Sequence, residues 1–287
     1  MKGVKFFFSI LLLSTASFAF AQPQETPPVQ FNKLSQNLYE VLGGAGARGG
    51  AYIGDDAVLL IDSKMDQKSV EQVHTELKKL TDKPVKFLVN THADGDHVRG
   101  NRYQPETAVI IAHENCRKEF FIPGRDGKPS EWNDPGLLRF TPSVTFQDET
   151  TVYLGTKKVE LRYFGVGHTT GDAVVYFPEE KTAFVGDQIF IGRPQLIHAY
   201  KGGNSFGHVQ VLEKMLAALD AQKFCSGHSD PVDRATVERH IQQIKAMQDK
   251  VGMLVKKNIS ADEIKKAFEP NEGNLVETIV NEITSGR

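Results

Sequence analysis

Four potential metal ligands fall within six residues in the segment Thr91-His92-Ala93-Asp94-Gly95-Asp96-His97, directly after the apolar run Val85 to Asn90. This density constrains the fold more than any other feature of the chain. A Gly-containing loop at a strand end lets the backbone curl so that such side chains converge on one point, which a regular helix or strand cannot do. Three further segments repeat the form of an apolar run leading into a ligand-type residue: Tyr163 to Gly167 before His168, Ala183 to Gly186 before Asp187, and Phe224 to Gly227 before His228. A lone Asp-Gly-Asp-His is more often a turn, and a lone Gly-His-Thr more often a strand end. Four together, with a Gly immediately before His168, Asp187 and His228, point to a metal site. Imidazole and carboxylate suit zinc, iron or manganese, and several carboxylates can bridge or divide two ions.

The rest of the chain supplies the scaffold these motifs require. Leu38 to Leu42 and Ala57 to Asp62 are short apolar runs that fit strand hairpins, and the Gly-rich stretch Gly43 to Gly54 between them is expected to supply turns. From Asp66, the residues Val70, Val73, Leu77 and Leu80 recur at helical spacing, so that with the run from Val85 they form a βαβ unit. Ile122 to Gly136 is irregular and overhangs something; Val144 to Phe177 alternates like several antiparallel strands. Val209 to Leu219, Ala235 to Val251 and the segment from Ala261 onward are helical, interrupted by a strand at Lys223 to Ser226. Alternating strand and helix segments imply α/β sheets covered by helices on their outer faces.

Composition narrows the setting. Of 287 residues, 40% are hydrophobic and 24% charged, which excludes a disordered polymer and a polytopic membrane protein. Met1 to Ala21 reads as a secretory signal: Lys2 and Lys5, then the apolar run Phe6 to Phe20, then Ala19-Phe20-Ala21 before a polar stretch. The run is shorter than the roughly 20 apolar residues that span a bilayer, so cleavage after Ala21 leaves no membrane anchor and an exported, periplasmic or secreted protein. Residues 22–30 read as a flexible leader and 31–287 as a single domain. Removing Lys2 and Lys5 makes the formal net charge of -2 more negative by two, against nucleic acid or anionic membrane as a partner and for a small-molecule substrate. Cys116 and Cys225 are too few for a disulfide scaffold; one bridge and two buried thiols both stay open.

With these motifs the chain resembles the metallo-β-lactamase superfamily, whose first signature is H-x-H-x-D-H, followed by separate His, Asp and His motifs. The likeness runs from Leu38 to about Ile241 and includes Ile61-Asp62, Gly167-His168-Thr169-Thr170-Gly171-Asp172 and Val185-Gly186-Asp187. It implies a four-layered αβ/βα sandwich of two mixed sheets flanked by helices, with two metal ions, zinc first, at one edge. Carried over, His92 and His168 belong to the first metal and Asp96, His97 and His228 to the second, with Asp187 between them. Asp172 is expected to fix the His168 loop by hydrogen bonding. Asp94 stands where the superfamily has its second His. Its carboxylate can reach the first metal or point away. As a ligand it makes three carboxylates against two divalent ions, one net positive charge instead of two. The metal is then expected to be a weaker Lewis acid, with preference moving toward iron or manganese, and Asp94→His is expected to raise zinc occupancy.

The function implied is an exported metallo-hydrolase that uses a metal-activated hydroxide on a β-lactam, lactone, ester or thioester carbonyl, with Asp96 as the orienting catalytic group. A non-heme iron oxidoreductase of the same fold is the alternative, because the superfamily's flavin-partnered di-iron branch carries a Glu at position 94. A binding protein without chemistry is a third. β-Lactamases of one subclass hold the drug carboxylate with a Lys three residues after the Asp187 position; here that residue is Phe190. The Gly-rich loop after Asp187 instead offers Arg193, His198, Tyr200, Lys201 and Asn204 for substrate. His74 and His240, on expected helices, read as surface residues.

Overall fold

The structure, a computed structural model, describes residues 26–286. The expected signal, 1–21, and the first part of the leader lie outside these residues. Thirteen strands and seven α-helices are described. The first sheet holds β1 (Gln30–Lys33), β2 (Leu38–Leu42), β3 (Gly49–Ile53), β4 (Val58–Ile61), β5 (Val85–Val89), β6 (Val109–His113) and β7 (Val144–Phe146), in that spatial order. Pairing is antiparallel from β1 to β4 and parallel from β4 to β7. The second sheet holds β8 (Glu149–Leu154), β9 (Lys157–Tyr163), β10 (Ala173–Phe177), β11 (Thr182–Phe184), β12 (Lys223–Cys225) and β13 (Val232–Asp233). Only β11 and β12 pair in parallel there.

Alternation along the apolar strands divides the core into layers. Leu59 and Ile61 of β4 meet Val175 and Phe177 of β10 between the two sheets, where the Tyr52 and Phe177 rings lie 4.8 Å apart. Val58 and Leu60 point the other way, onto Val73 and Leu77 of α1 (Gln67–Lys78). Val174 and Tyr176 likewise face Leu212 of α4 (Ser205–Ala218) and Ile241 of α5 (Arg234–Lys256). Two sheets buried on both faces thus make a four-layered αβ/βα sandwich. Each such fully buried aliphatic side chain contributes roughly 2 kcal/mol. The last two helices, α6 (Ala261–Lys266) and α7 (Gly273–Ser285), pack on the end of α5.

Local signals explain most boundaries. Asp66 caps α1, accepting from Ser69 N at 2.8 Å, and the parallel pairing of β4 with β5 completes the βαβ unit. Leu80, counted in the same helical series, lies beyond the helix end and is exposed. Three differences from the sequence reading stand out. The Gly-rich stretch contains β3, a central strand: a Cβ on Gly50 would lie 2.7 Å from Phe184, so the glycines admit the opposing sheet. The end of the leader is docked: Val29 is buried, Pro27 O accepts from Gly44 N at 2.7 Å, and β1 begins at Gln30. His240 is buried beneath Gln195, to which its Nε2 is bonded at 3.1 Å. Of the two states left open for the cysteines, the structure has the unbridged one: Cys116 and Cys225 are free and buried in separate core clusters. Among the described residues, no helix is long and apolar enough to cross a membrane.

Candidate metal centre

The C-terminal ends of β5, β11 and β12, with the loop joining β9 to β10, deliver the ligand-type side chains to one edge of the sandwich. His97 lies in the single-turn helix α2 (Gly95–Val98), and Asp94 precedes it with an extended backbone and no bond from its side chain to the helix N–H groups. Two glycines make room for the cluster. Gly186 has φ +53, and a Cβ there would meet Thr91 Oγ1 at 2.6 Å. A Cβ on Gly227 would stand 2.5 Å from both Asp187 Oδ1 and His97 Cε1.

Seven side chains converge in two groups, His92, Asp94, His168 and Asp187 in one, and Asp96, His97 and His228 in the other, with the ligand atoms of each group within 4.8 Å of one another. Asp94 Oδ2 is 3.5 Å from His92 Nε2 and 3.3 Å from His168 Nε2. Asp187 reaches both groups, with Oδ1 3.2 Å from His97 Nε2 and Oδ2 3.3 Å from His228 Nε2 and 3.9 Å from His92 and His168 Nε2. Asp96 Oδ2 is 3.1 Å from His228 Nε2. Ligands about 2 Å from one ion stand roughly 3.3 Å apart, so this spacing suits metal binding.

The imidazole tautomers support the same reading. Leu196 O accepts from His168 Nδ1 at 2.8 Å, and Asp62 Oδ2 accepts from His97 Nδ1 at 2.7 Å. Thr91 Oγ1 donates to Asp62, so it must accept from His92 Nδ1, 3.0 Å away. Once deprotonated to take a metal, each ring therefore turns its Nε2 lone pair inward. His92 Nε2, His97 Nε2 and Asp187 Oδ1 are buried and have no hydrogen-bond partner, the state of ligand atoms that an ion would satisfy. The residues present fit a divalent metal pair.

Electrostatics knit the cluster together. Burial opposes the charged forms of Asp94, Asp96, Asp187, His97, His168 and His228, yet neighbours of opposite charge prevail. His92 and His168 hold Asp94 well below the ordinary carboxylate range, and His97 holds Asp187 there too. Against burial, Asp187 and Asp62 carry His97 well above its ordinary value, and hydrogen bonds to Asp94 and Asp187 push His168 and His228 up to about 9.

Of the five residues expected on the substrate loop, three reach this edge. Lys201 Nζ binds Asp94 Oδ1 at 2.6 Å, and His198 Nε2 lies 2.7 Å from Asp94 Oδ2. Tyr200 is exposed beside them, with the Arg125 guanidinium 4.9 Å above its ring. Two do not. Asn204 is committed to capping α4, its side chain accepting from Gly207 N at 2.7 Å, because the helix begins four residues earlier than its apolar pattern. Arg193 packs 4.0 Å over the Phe190 ring and lines a separate groove with Arg239 and Gln243. Sequence reasoning missed Asp62 as the partner of His97, and Arg125, which donates to His198 Nδ1. The position of Asp62 at the end of β4 was a usable signal; for Arg125 there was none. Asp172 does tie down the His168 loop, accepting from Thr169 N and Oγ1 at 2.7 and 2.9 Å.

Lys201 also changes the charge count. The sequence reading found one net positive charge with three carboxylates; the ammonium beside Asp94 restores the second. A cleft of about 580 Å³ opens alongside, walled by Asp94, Asp96, Phe120, Trp132, Tyr200 and Lys201 and overhung by the loop from Ile122.

The family model of the metallo-β-lactamase superfamily matches residues 50–228, which include the whole cluster. The chain belongs to this superfamily. It is a metallo-β-lactamase-fold hydrolase with two candidate metal-ligand groups. It is 25% identical over 261 residues to a protein of Elizabethkingia meningoseptica described as metallo-β-lactamase type 2, covering 87% of this chain and 98% of that one. It is 28% identical over 142 residues to the 2,4-dinitroanisole O-demethylase subunit alpha of a Nocardioides strain, covering 48% of this chain but only 40% of that one. The solved metallo-β-lactamase from Pontibacter korlensis superposes with a TM-score of 0.63 at 19% identity, over 76% of this chain and 99% of that one, a likeness of fold.

Proposed function

We propose that this protein is exported and hydrolyses a small carbonyl compound, a β-lactam, lactone, ester or thioester, with zinc at both ligand groups. The observation that carries this reading is the set of inward, unpartnered Nε2 atoms of His92 and His97 beside a cleft of small-molecule size. Bound divalent ions would polarise the scissile carbonyl and lower the pKa of an attacking water to about 7. Asp96 borders both cluster and cleft, with its side chain 32% exposed. From there its carboxylate would orient the attacking water, take the proton that water loses as it attacks, and later give that same proton to the leaving group. Phe120, Trp132 and Tyr200 exclude water from the apolar part of the substrate. Export is supported by the pattern of Met1 to Ala21.

Asp96→Asn tests the mechanism. Hydrolysis of a screened ester, lactone or β-lactam should fall by about a hundredfold or more while metal content changes much less; unchanged turnover would sink the role of Asp96. One observation favours the second reading, iron-dependent redox chemistry: the first group offers two imidazoles and two carboxylates, as many oxygen donors as nitrogen donors. Metal analysis of protein purified without added metal separates the two, zinc supporting the hydrolase and stoichiometric iron the oxidoreductase.

A further inference from the structure

We propose that Asp94 and Lys201 act as one electroneutral unit in place of the superfamily's second histidine, with Lys201 a positioning residue of the metal centre. The inference rests on the metal-centre reading above. Asp94 uses both oxygens at once: Oδ1 accepts from Lys201 Nζ at 2.6 Å, and Oδ2 faces His168 and His92 Nε2 at 3.3 and 3.5 Å while His198 Nε2 stands 2.7 Å away. Among the described residues no other hydrogen bond or ion pair engages this carboxylate, and it makes no capping bond to α2.

Lys201 is built for this contact and for no other. Its side chain is only 6% exposed, and a buried ammonium stands only when paired. The backbone around it is pinned: His198 O accepts from the N–H groups of Lys201 and Gly203, and Gly202 takes φ +80 to close the turn. The other carboxylate in reach, Glu119, has its Oε2 4.0 Å from Nζ, and its Oε1 is taken by Thr170 N and Oγ1. Asp94 is therefore the partner.

His198 is not the replacement for the missing histidine. Arg125 donates to His198 Nδ1, and a guanidinium has no acceptor, so that nitrogen accepts and Nε2 carries the proton. His198 thus donates to Asp94 and holds Oδ2 in line with His92 and His168.

Charge then determines what restoring the histidine does. With Asp94 and Lys201 together, two divalent ions and three carboxylates leave two net positive charges, the same as the superfamily pattern with a neutral histidine. Replacing Asp94 alone adds a third and strands the buried ammonium next to the first ion. The effect is opposite in sign to that expected from the motif alone.

The test is zinc titration of purified, metal-free protein against a chromophoric chelator, for wild type, Asp94→His, Lys201→Met and the double variant, with folding checked by circular dichroism. Wild type should bind two ions. Asp94→His should weaken the weaker-binding ion by at least about tenfold, through the added positive charge. The double variant should recover to within about threefold of wild type. Zinc affinity in Asp94→His equal to wild type would overturn the proposal. So would a double variant no tighter than Asp94→His, which would mark Lys201 as a purely structural loop residue. If Asp94→His does not fold, Asp94→Asn and its double with Lys201→Met replace it, since the isosteric amide strands the same ammonium. A wild-type protein that binds no zinc overturns the metal-centre reading itself, a result read on a different sample.

Discussion

Asp62 Oδ2 accepts from Nδ1 of His97 at 2.7 Å, while Oδ1 accepts from the backbone N–H of Thr91 at 2.8 Å. One buried carboxylate at the end of β4 thereby orients a ligand in the second group and anchors the loop that carries His92 in the first. Asp62 sits at φ +56, a conformation Asn adopts readily. Asp62→Asn should therefore fold, but its amide cannot accept every N–H that the carboxylate does. Zinc affinity should drop about 10- to 100-fold, measured by chelator competition. Affinity equal to wild type would show that His97 needs no such partner.

The metal-free protein should be less stable at alkaline pH. His168 and His228 are raised from 6.5 to about 9, against the effect of burial, by hydrogen bonds to Asp94 and to Asp187 and Asp96. A raised folded-state value gives stabilisation that is complete below 6.5 and lost as pH rises through 9. Melting temperatures taken with excess chelator should fall between those limits. Zinc affinity should rise across the same interval, because the ion displaces those protons. A flat melting profile would contradict the pairing.

Below pH 4 the opposite groups govern. Burial works against the anions of Asp94 and Asp187, but their histidine neighbours hold both well below 3.8. Their stabilisation is present above 3.8 and is lost only as pH falls through those lower values. Acid unfolding of the metal-free protein should accordingly shift to higher pH in Asp187→Asn, followed by circular dichroism.

Gly227→Ala places a methyl 2.5 Å from both Asp187 Oδ1 and His97 Cε1, so two ligands must move. Metal stoichiometry should fall below that of wild type. Gly273→Ala, at the start of α7 with no atom within 4 Å of the added carbon, is the control and should change stability by less than about 1 kcal/mol. Equal metal content in both variants would remove the steric argument.

Cys116 packs with Phe120 and Trp132, whereas Cys225 packs with Val175 and Phe184 between the sheets. Burial pushes both thiols up. Thiol titration without reductant should find none reactive in the folded protein and two after denaturation. A single oxidised species lacking free thiols would overturn this.

The α/β layers and most of the ligands are legible in the chain because local rules produce them. Val58 to Ile61 is a continuous apolar run and becomes a strand buried on both faces, and Val85 to Val89, apolar except for the exposed Lys86, becomes its parallel neighbour. Asp66 and Val70, Val73 and Leu77 mark α1 by capping and spacing. His92, Asp96, His97, His168, Asp187 and His228 are conspicuous because each follows a strand end. Where local rules misled, a contact across layers was responsible: Gly50 looks like a turn residue until Phe184 occupies the space its side chain would fill, and His240 looks exposed until Gln195 covers it.

By itself, then, the sequence determined which residue types stand at the ends of which strands, and with them the metal-binding chemistry, because backbone pattern and spacing are properties of neighbouring residues. Only the tertiary structure decided the charge state and orientation of Asp94. Lys201 is 107 positions away from it and His198 is 104, and Arg125 reaches His198 across 73 more. Such pairs meet only when the two sheets pack face to face, and an ion pair made through space leaves no periodic trace in the chain.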